Sequence, residues 1–318
     1  MGARTVHRVI CGVLAAVTTG PAWAHGPSGR GSTEDVFTAG AGAGWIVVAL
    51  AAAAALYVVG VVRLWQASAP GRGLRIREGL LFVAGLVLLA IALLGPFESF
   101  AARSFAAHMV QHELLMLAAA PLLVMGRPLA VWAWALSVGQ HRATRSIVRN
   151  AAWRRFWQFA TRPFGATLLQ LTALLVWHVP AAFDGAAMHA GVHALQHATF
   201  LATALCFWWA LQTSARRVDR DARPAAIGVM ALFCTMIVTG AFGALLTFAP
   251  VPLYRTFAGP PVPWAGSALE DQQLGGLFMW VPGGTIYLLA ALVLARRLLL
   301  RGTAGPSPSR AAVSFGLP

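Results

Sequence analysis

Apolar residues run along this chain in long blocks broken by short polar stretches. Seven blocks reach or approach the ~20 residues that a helix needs to cross a bilayer. They fall at about 44–62, 79–94, 105–124, 164–180, 192–211, 225–248 and 273–295. The expected fold is all-α: a polytopic membrane helical bundle of about seven transmembrane helices. A shorter block precedes them, Val9 to Val17, behind Arg4 and Arg8 and ahead of Ala22-Trp23-Ala24. A basic start, a brief apolar core and a small-x-small site make residues 1–24 an expected cleavable signal peptide. Cleavage would expose His25, an amino-terminal residue able to chelate Cu(II). A Gly-rich head at 25–42, the helical domain at 43–297 and a Gly/Pro/Ser-rich disordered tail at 298–318 complete the expected organisation.

Composition agrees with this reading. The 318 residues are 58% hydrophobic and only 11% charged, with mean hydropathy +0.68. A soluble domain carries about a quarter charged residues. The formal charge is +14, and every basic residue is Arg. A single basic patch would suggest nucleic acid, but these arginines follow the ends of the spans. One set of loops holds 19 of them and the alternate set only three, Arg30, Arg103 and Arg255. That asymmetry places the carboxyl terminus in the cytoplasm and the head on the periplasmic side of the inner membrane. The partners implied are anionic lipid headgroups, and nucleic acid is excluded. Residues 128–160 mix Trp132, Trp134, Trp153, Phe156 and Trp157 with arginines and are expected to form one or two amphipathic helices on the cytoplasmic leaflet. The three cysteines, Cys11, Cys206 and Cys234, form no CxxC pair, which removes a thiol chaperone motif and a disulfide framework.

Candidate chemistry is concentrated in six of the nine histidines. His108 and His112 open the third span, His178 ends the fourth, and His189, His193 and His197 lead into the fifth. With the topology above, all six lie on the periplasmic side. Residues four apart share a helix face, giving one stripe of His108 and His112 and another of His189, His193 and His197. Met116 extends the first stripe. Asp271 stands at the outer lip of the seventh span, with Met279 eight residues further along. Glu113 projects about 100° from His112, toward a different face or a supporting position behind the ligands. Imidazoles with a carboxylate suit copper, iron, zinc or haem, and thioethers favour Cu(I). The candidate metal ligands are therefore His108, His112, His178, His193, His197, Asp271, His189, Met116 and Met279. The competing reading makes these histidines interfacial packing groups, most plainly for His189, nearest to water, and for His178 beside Trp177. No obvious catalytic base stands apart from the candidate ligand set.

Several segments resemble one family. His108-Met109-Val110-Gln111-His112 with Leu114-Leu115-Met116 and Ala120-Pro121-Leu122-Leu123 resembles the signature of the polytopic CtaG family of cytochrome c oxidase assembly factors. So do Trp177-His178-Val179-Pro180 with Phe183-Asp184, the histidine stripe leading to Phe207-Trp208-Trp209, and Asp271-Gln272-Gln273-Leu274-Gly275-Gly276 through Met279-Trp280 and Pro282. Glu113 departs from the pattern, which has an apolar residue there. The resemblance covers most of 40–297. It implies a non-enzymatic membrane factor in haem–copper oxidase maturation, with copper as cargo, and an oxidase subunit and a copper donor protein as partners. The alternative is a membrane enzyme that uses haem or another transition metal at the same histidines.

Overall fold

The computed structural model describes residues 44–94, 96–136, 149–218, 220–259 and 262–303. The expected signal peptide, the expected head with His25, and His141 lie outside these residues. The described chain is helical, and no strand occurs among the described residues. The first two spans are α1 (Gly44–Ser68) and α2 (Ile76–Leu93). Between them a tight turn carries Ala69, Gly71 and Gly73 at positive φ. Glu78 closes the start of α2 by accepting the Arg75 backbone N–H at 2.9 Å.

After the short α3 (Pro96–Ala101) comes a span in three pieces: α4 (Phe105–Glu113), a π-helical segment Leu114–Ala119, and α5 (Ala120–Met125). The chain continues through α6 (Pro128–Ala135), α7 (Ala151–Ala160), α8 (Pro163–Trp177) and α9 (Pro180–Met188) to the 27-residue α10 (Ala190–Arg216). Next are α11 (Arg223–Thr247) and α12 (Ala268–Phe278), a second π-helical segment Met279–Gly283, and α13 (Gly284–Thr303).

Among the described residues, six helices are long and apolar enough to span a membrane, and seven if the bent pair α7–α8 is one span. The protein is thus a multi-pass membrane protein. The fourth expected span differs from its sequence outline. At 15 residues, α8 rises only about 22 Å, short of the ~30 Å hydrocarbon core. Pro163 begins it after Thr161 and Arg162 break the helix, and α7 meets it at 81°.

Two expected segments are seen in part. Within 128–160, of which residues 137–148 lie outside the described ones, α7 is amphipathic, with Trp153, Phe156 and Trp157 interleaved with Arg154 and Arg155. By contrast, α6 has no polar residue and packs along α1. The absence of a side chain at Gly60 admits the Val131 carbonyl, which a Cβ would meet at 2.2 Å. The Trp132 indole N–H donates to the Ala53 carbonyl at 3.3 Å. At the other end, α13 continues through Thr303, so the tail expected from 298 starts in helix.

One close approach sets the outer half of the bundle. On α12, Gly276 lies against Gly243 of α11, where a Cβ on either residue would come within 2.6–2.7 Å of the other's carbonyl oxygen. Neighbouring Gly275 receives the Phe105 ring, which a Cβ would meet at 2.5 Å. These small residues wedge α12 between α11 and α4, as in membrane helix pairs generally.

Candidate metal centre

The side chains of His108 and His112 project from α4, and those of His193 and His197 from the first turns of α10. Ring centres are 4.4 Å apart within the first pair and 4.1 Å within the second. Across the two helices, His108 lies 5.4 Å from His193, and His112 lies 5.3 Å from His197. The diagonal from His108 to His197 is 6.3 Å. Two imidazoles on one metal, with bonds near 2 Å, stand with ring centres about 5 Å apart. The spacing expected from the two i, i+4 stripes is therefore realised between helices.

Burial makes this group unusual. His108, His112 and His197 are 3%, 2% and 9% exposed. Both ring nitrogens of His112 and the Nε2 atoms of His193 and His197 are buried without a hydrogen-bond partner among the described residues. Buried polar atoms are nearly always paired, and leaving one unpaired costs about 1–3 kcal/mol. Among the described residues, no group of three or more His, Cys, Asp or Glu side chains has the geometry to hold a metal ion.

Aromatic rings wall the cluster. Phe200 lies 4.8 Å from His112, and Phe183 and Phe257 lie 5.2 and 5.6 Å from His108. Phe257 belongs to the outer loop between α11 and α12. That loop is pinned by Asp184 of α9, which accepts from the Thr256 backbone at 3.1 Å and its hydroxyl at 2.8 Å. Its Tyr254 stacks on Phe105 and donates to the His178 carbonyl at 3.1 Å. The loop thus covers the imidazoles. The more open edge is at His193, whose Nδ1 stands 3.8 Å from Glu98 Oε1. Burial pushes the Glu98 carboxyl above its ordinary range, and a hydrogen bond from the Gln111 amide pulls it back.

His178 sits just below. Its Nδ1 lies 2.7 Å from the Leu174 carbonyl. A carbonyl only accepts, so Nδ1 carries the proton and the lone pair is on Nε2. That Nε2 is buried and unpartnered. His112 and His178 share a cavity of about 20 Å³ with Glu113, Met109, Met116 and Met279. About 10–15 Å³ is enough for one water, so the space suits a single small occupant. The Gln170 amide donates to the Met116 sulfur at 3.2 Å. Glu113, given a different face or a supporting position by helical geometry, lines this cavity beside His112. Both π-helical segments adjoin it, one following Glu113 and the other beginning at Met279, in keeping with the frequent place of such segments at functional sites.

Two expected ligands are elsewhere. His189 is the exposed residue preceding α10, and its Nδ1 is engaged with the Gly185 carbonyl at 2.9 Å. Asp271 is buried but fully employed. Its carboxylate accepts from the Ser104 hydroxyl at 2.8 Å, the Phe105 backbone N–H at 2.6 Å and the Trp264 indole at 3.3 Å. It caps the start of α4 from α12, and both its oxygens serve this structural role. Asp271→Ala should therefore lower stability by about 1.5–3 kcal/mol while leaving metal stoichiometry unchanged below the melting transition. Thermal unfolding and metal analysis of the same sample check both halves.

Sequence reasoning did not single out Glu98, Phe257 or Tyr254 around the cluster. Glu98 was in principle visible as the one carboxylate in the polar stretch before His108. The two aromatics carry no local signal, since they approach the histidines only through the path of the outer loop.

No solved structure matches the chain. An uncharacterized protein of Mycobacterium leprae is 26% identical over 231 residues, covering 70% of this chain and 34% of its own length. One of Mycobacterium bovis is 26% identical over 187 residues, covering 58% and 28%. The chain thus spans about a third of the length of the curated relatives it matches. Residues 55–300, which contain all six histidines, match the model of the cytochrome c oxidase caa3 assembly factor family. The chain belongs to that family, the CtaG assembly factors of cytochrome c oxidase.

Proposed function

We propose that this protein binds copper at the imidazole cluster and delivers it to a subunit of a haem–copper oxidase during assembly, without itself catalysing a reaction. The observation that carries this reading is the group of five buried ring nitrogens without partners, on His112, His178, His193 and His197. A cation offsets the cost of such nitrogens, and imidazole with thioether is a donor set suited to Cu(I). The chemistry of the residues therefore fits the cargo.

His108, His193 and His197 would receive the ion at the more open edge. His112 has two free nitrogens and belongs both to the imidazole group and to the inner cavity, so it can serve either level. There His178, Met116 and Met279 offer softer donors. Ligands that are near one another but not yet converged suit a carrier that must release its load. The arginine asymmetry supports a periplasmic position for this end, where a copper donor protein and the oxidase subunit would dock. The small size of the inner cavity supports an ion over the haem of the alternative reading, because a space of about 20 Å³ admits no macrocycle.

The test is the oxidase itself, purified from cells that carry the protein with both His112 and His197 changed to Ala. The expected product contains haem but substoichiometric copper and has low activity. An oxidase with full copper and full activity would remove the delivery role.

A further inference from the structure

The other end of the bundle holds a second cavity, which the copper reading does not use. It is a cleft of about 470 Å³ between α2, α5, α10, α11 and α13. This size lies within the ~300–1,000 Å³ typical of small-molecule sites. Its inner walls are apolar, including Leu81, Val124, Leu211, Leu232 and Val293. Its mouth is basic, with Arg77, Arg216 and Arg297. A polar basin of about 510 Å³ adjoins it and shares Arg77, Glu78 and Arg216, adding Arg75 and Arg127. Five arginines thus surround one carboxylate. Glu78 is already engaged by the Arg75 backbone at 2.9 Å and stands 3.8 Å from Arg127. Among the described residues, Arg77, Arg216 and Arg297 have no carboxylate within ion-pair distance.

An apolar slot that opens onto a surplus of guanidinium groups is complementary to an amphiphile with an anionic head. We infer that this cleft binds an anionic phospholipid, with an acyl chain in the slot and the phosphate held by Arg77, Arg216 and Arg297. Guanidinium groups pair with phosphate through two parallel hydrogen bonds, and basic pockets between membrane helices suit such headgroups. A zwitterionic lipid would leave the surplus charge unanswered. A free phosphate would use the basin and leave the slot unfilled.

Native mass spectrometry of the full-length protein in detergent, offered equal phosphatidylglycerol and phosphatidylethanolamine, tests this. The expected result is a preference of about tenfold for phosphatidylglycerol. The double variant Arg77→Gln/Arg216→Gln should lose the preference, and Arg77→Lys/Arg216→Lys should keep it. Ala290→Trp, which fills the apolar wall, should reduce retention of either lipid. Arg255→Gln, at the opposite end, should change nothing. Equal retention of the two lipids, or a preference that survives in the glutamine variant, would overturn the assignment. So would displacement of the lipid by millimolar inorganic phosphate, which would make this a site for the free anion.

Discussion

Changing His112 and His197 together to alanine is expected to lower copper affinity by more than 100-fold. Loss of groups that merely orient a metal ligand already costs about 10–100-fold, and this variant removes one imidazole from each helix of the cluster. His112 should dominate, because both its nitrogens are free and it borders both the imidazole group and the inner cavity. His189→Ala is the internal control. That ring is exposed and bonded to Gly185, so its loss should leave copper binding intact. Equilibrium dialysis against a Cu(I) chelator measures all three proteins. Equal affinities in the double variant and the unaltered protein would remove the cluster from the account. The fold should tolerate the double change, since neither ring makes a hydrogen bond that holds the helices together among the described residues.

Gly276→Leu should have the largest effect on the structure. A Cβ at 276 would lie 2.6 Å from the Gly243 carbonyl oxygen and 2.7 Å from the Thr247 backbone nitrogen. These are backbone atoms and cannot rotate away. Overpacking in a tight core costs about 1–3 kcal/mol, occasionally more, and a leucine here must push α12 off α11. The consequence reaches the metal centre, because α12 carries Met279 into the cavity and Asp271 to the start of α4. The expected outcome is a melting temperature lowered by several degrees and weakened copper binding in the same protein. A leucine variant with unchanged melting temperature would show that the two helices do not approach so closely. Gly284→Leu is a suitable comparison. Its Cβ would meet only the Met236 side chain, at 3.9 Å.

The sequence was most readable where a physical signal is local. Spans α1, α2, α10 and α11 are continuous apolar runs, and the structure extends them by a few residues. The two histidine stripes followed from i, i+4 spacing. Their meeting in space required the packing of the third span against α10 through its π-helical segment and α5, which periodicity does not encode. Asp271 shows the opposite limit. Its position at the lip of a span resembled that of a ligand, yet its oxygens cap a helix that starts 166 residues earlier. A carboxylate that ends on a backbone N–H and one that ends on a metal look alike in a sequence. The segment 128–160 was legible in part. The arginine-interleaved aromatics of α7 marked an amphipathic helix, whereas the packing of α6 on α1 depends on Gly60, which lies in another span. Of the two positions open to Glu113, the structure has it lining the cavity beside His112, because the cavity reaches two adjacent positions of α4 just where the π-helical segment follows.

The family assignment groups the chain with cytochrome c oxidase assembly factors, and the proposal of copper at the buried imidazoles is the central claim. X-ray absorption at the copper edge of the purified, copper-loaded protein tests it most directly. The account predicts scattering from two or more imidazole nitrogens at about 2 Å, with the multiple-scattering pattern of the rings. It further predicts that this pattern disappears in the His112→Ala/His197→Ala protein. A spectrum without imidazole scattering, or one unaltered in that variant, would contradict it.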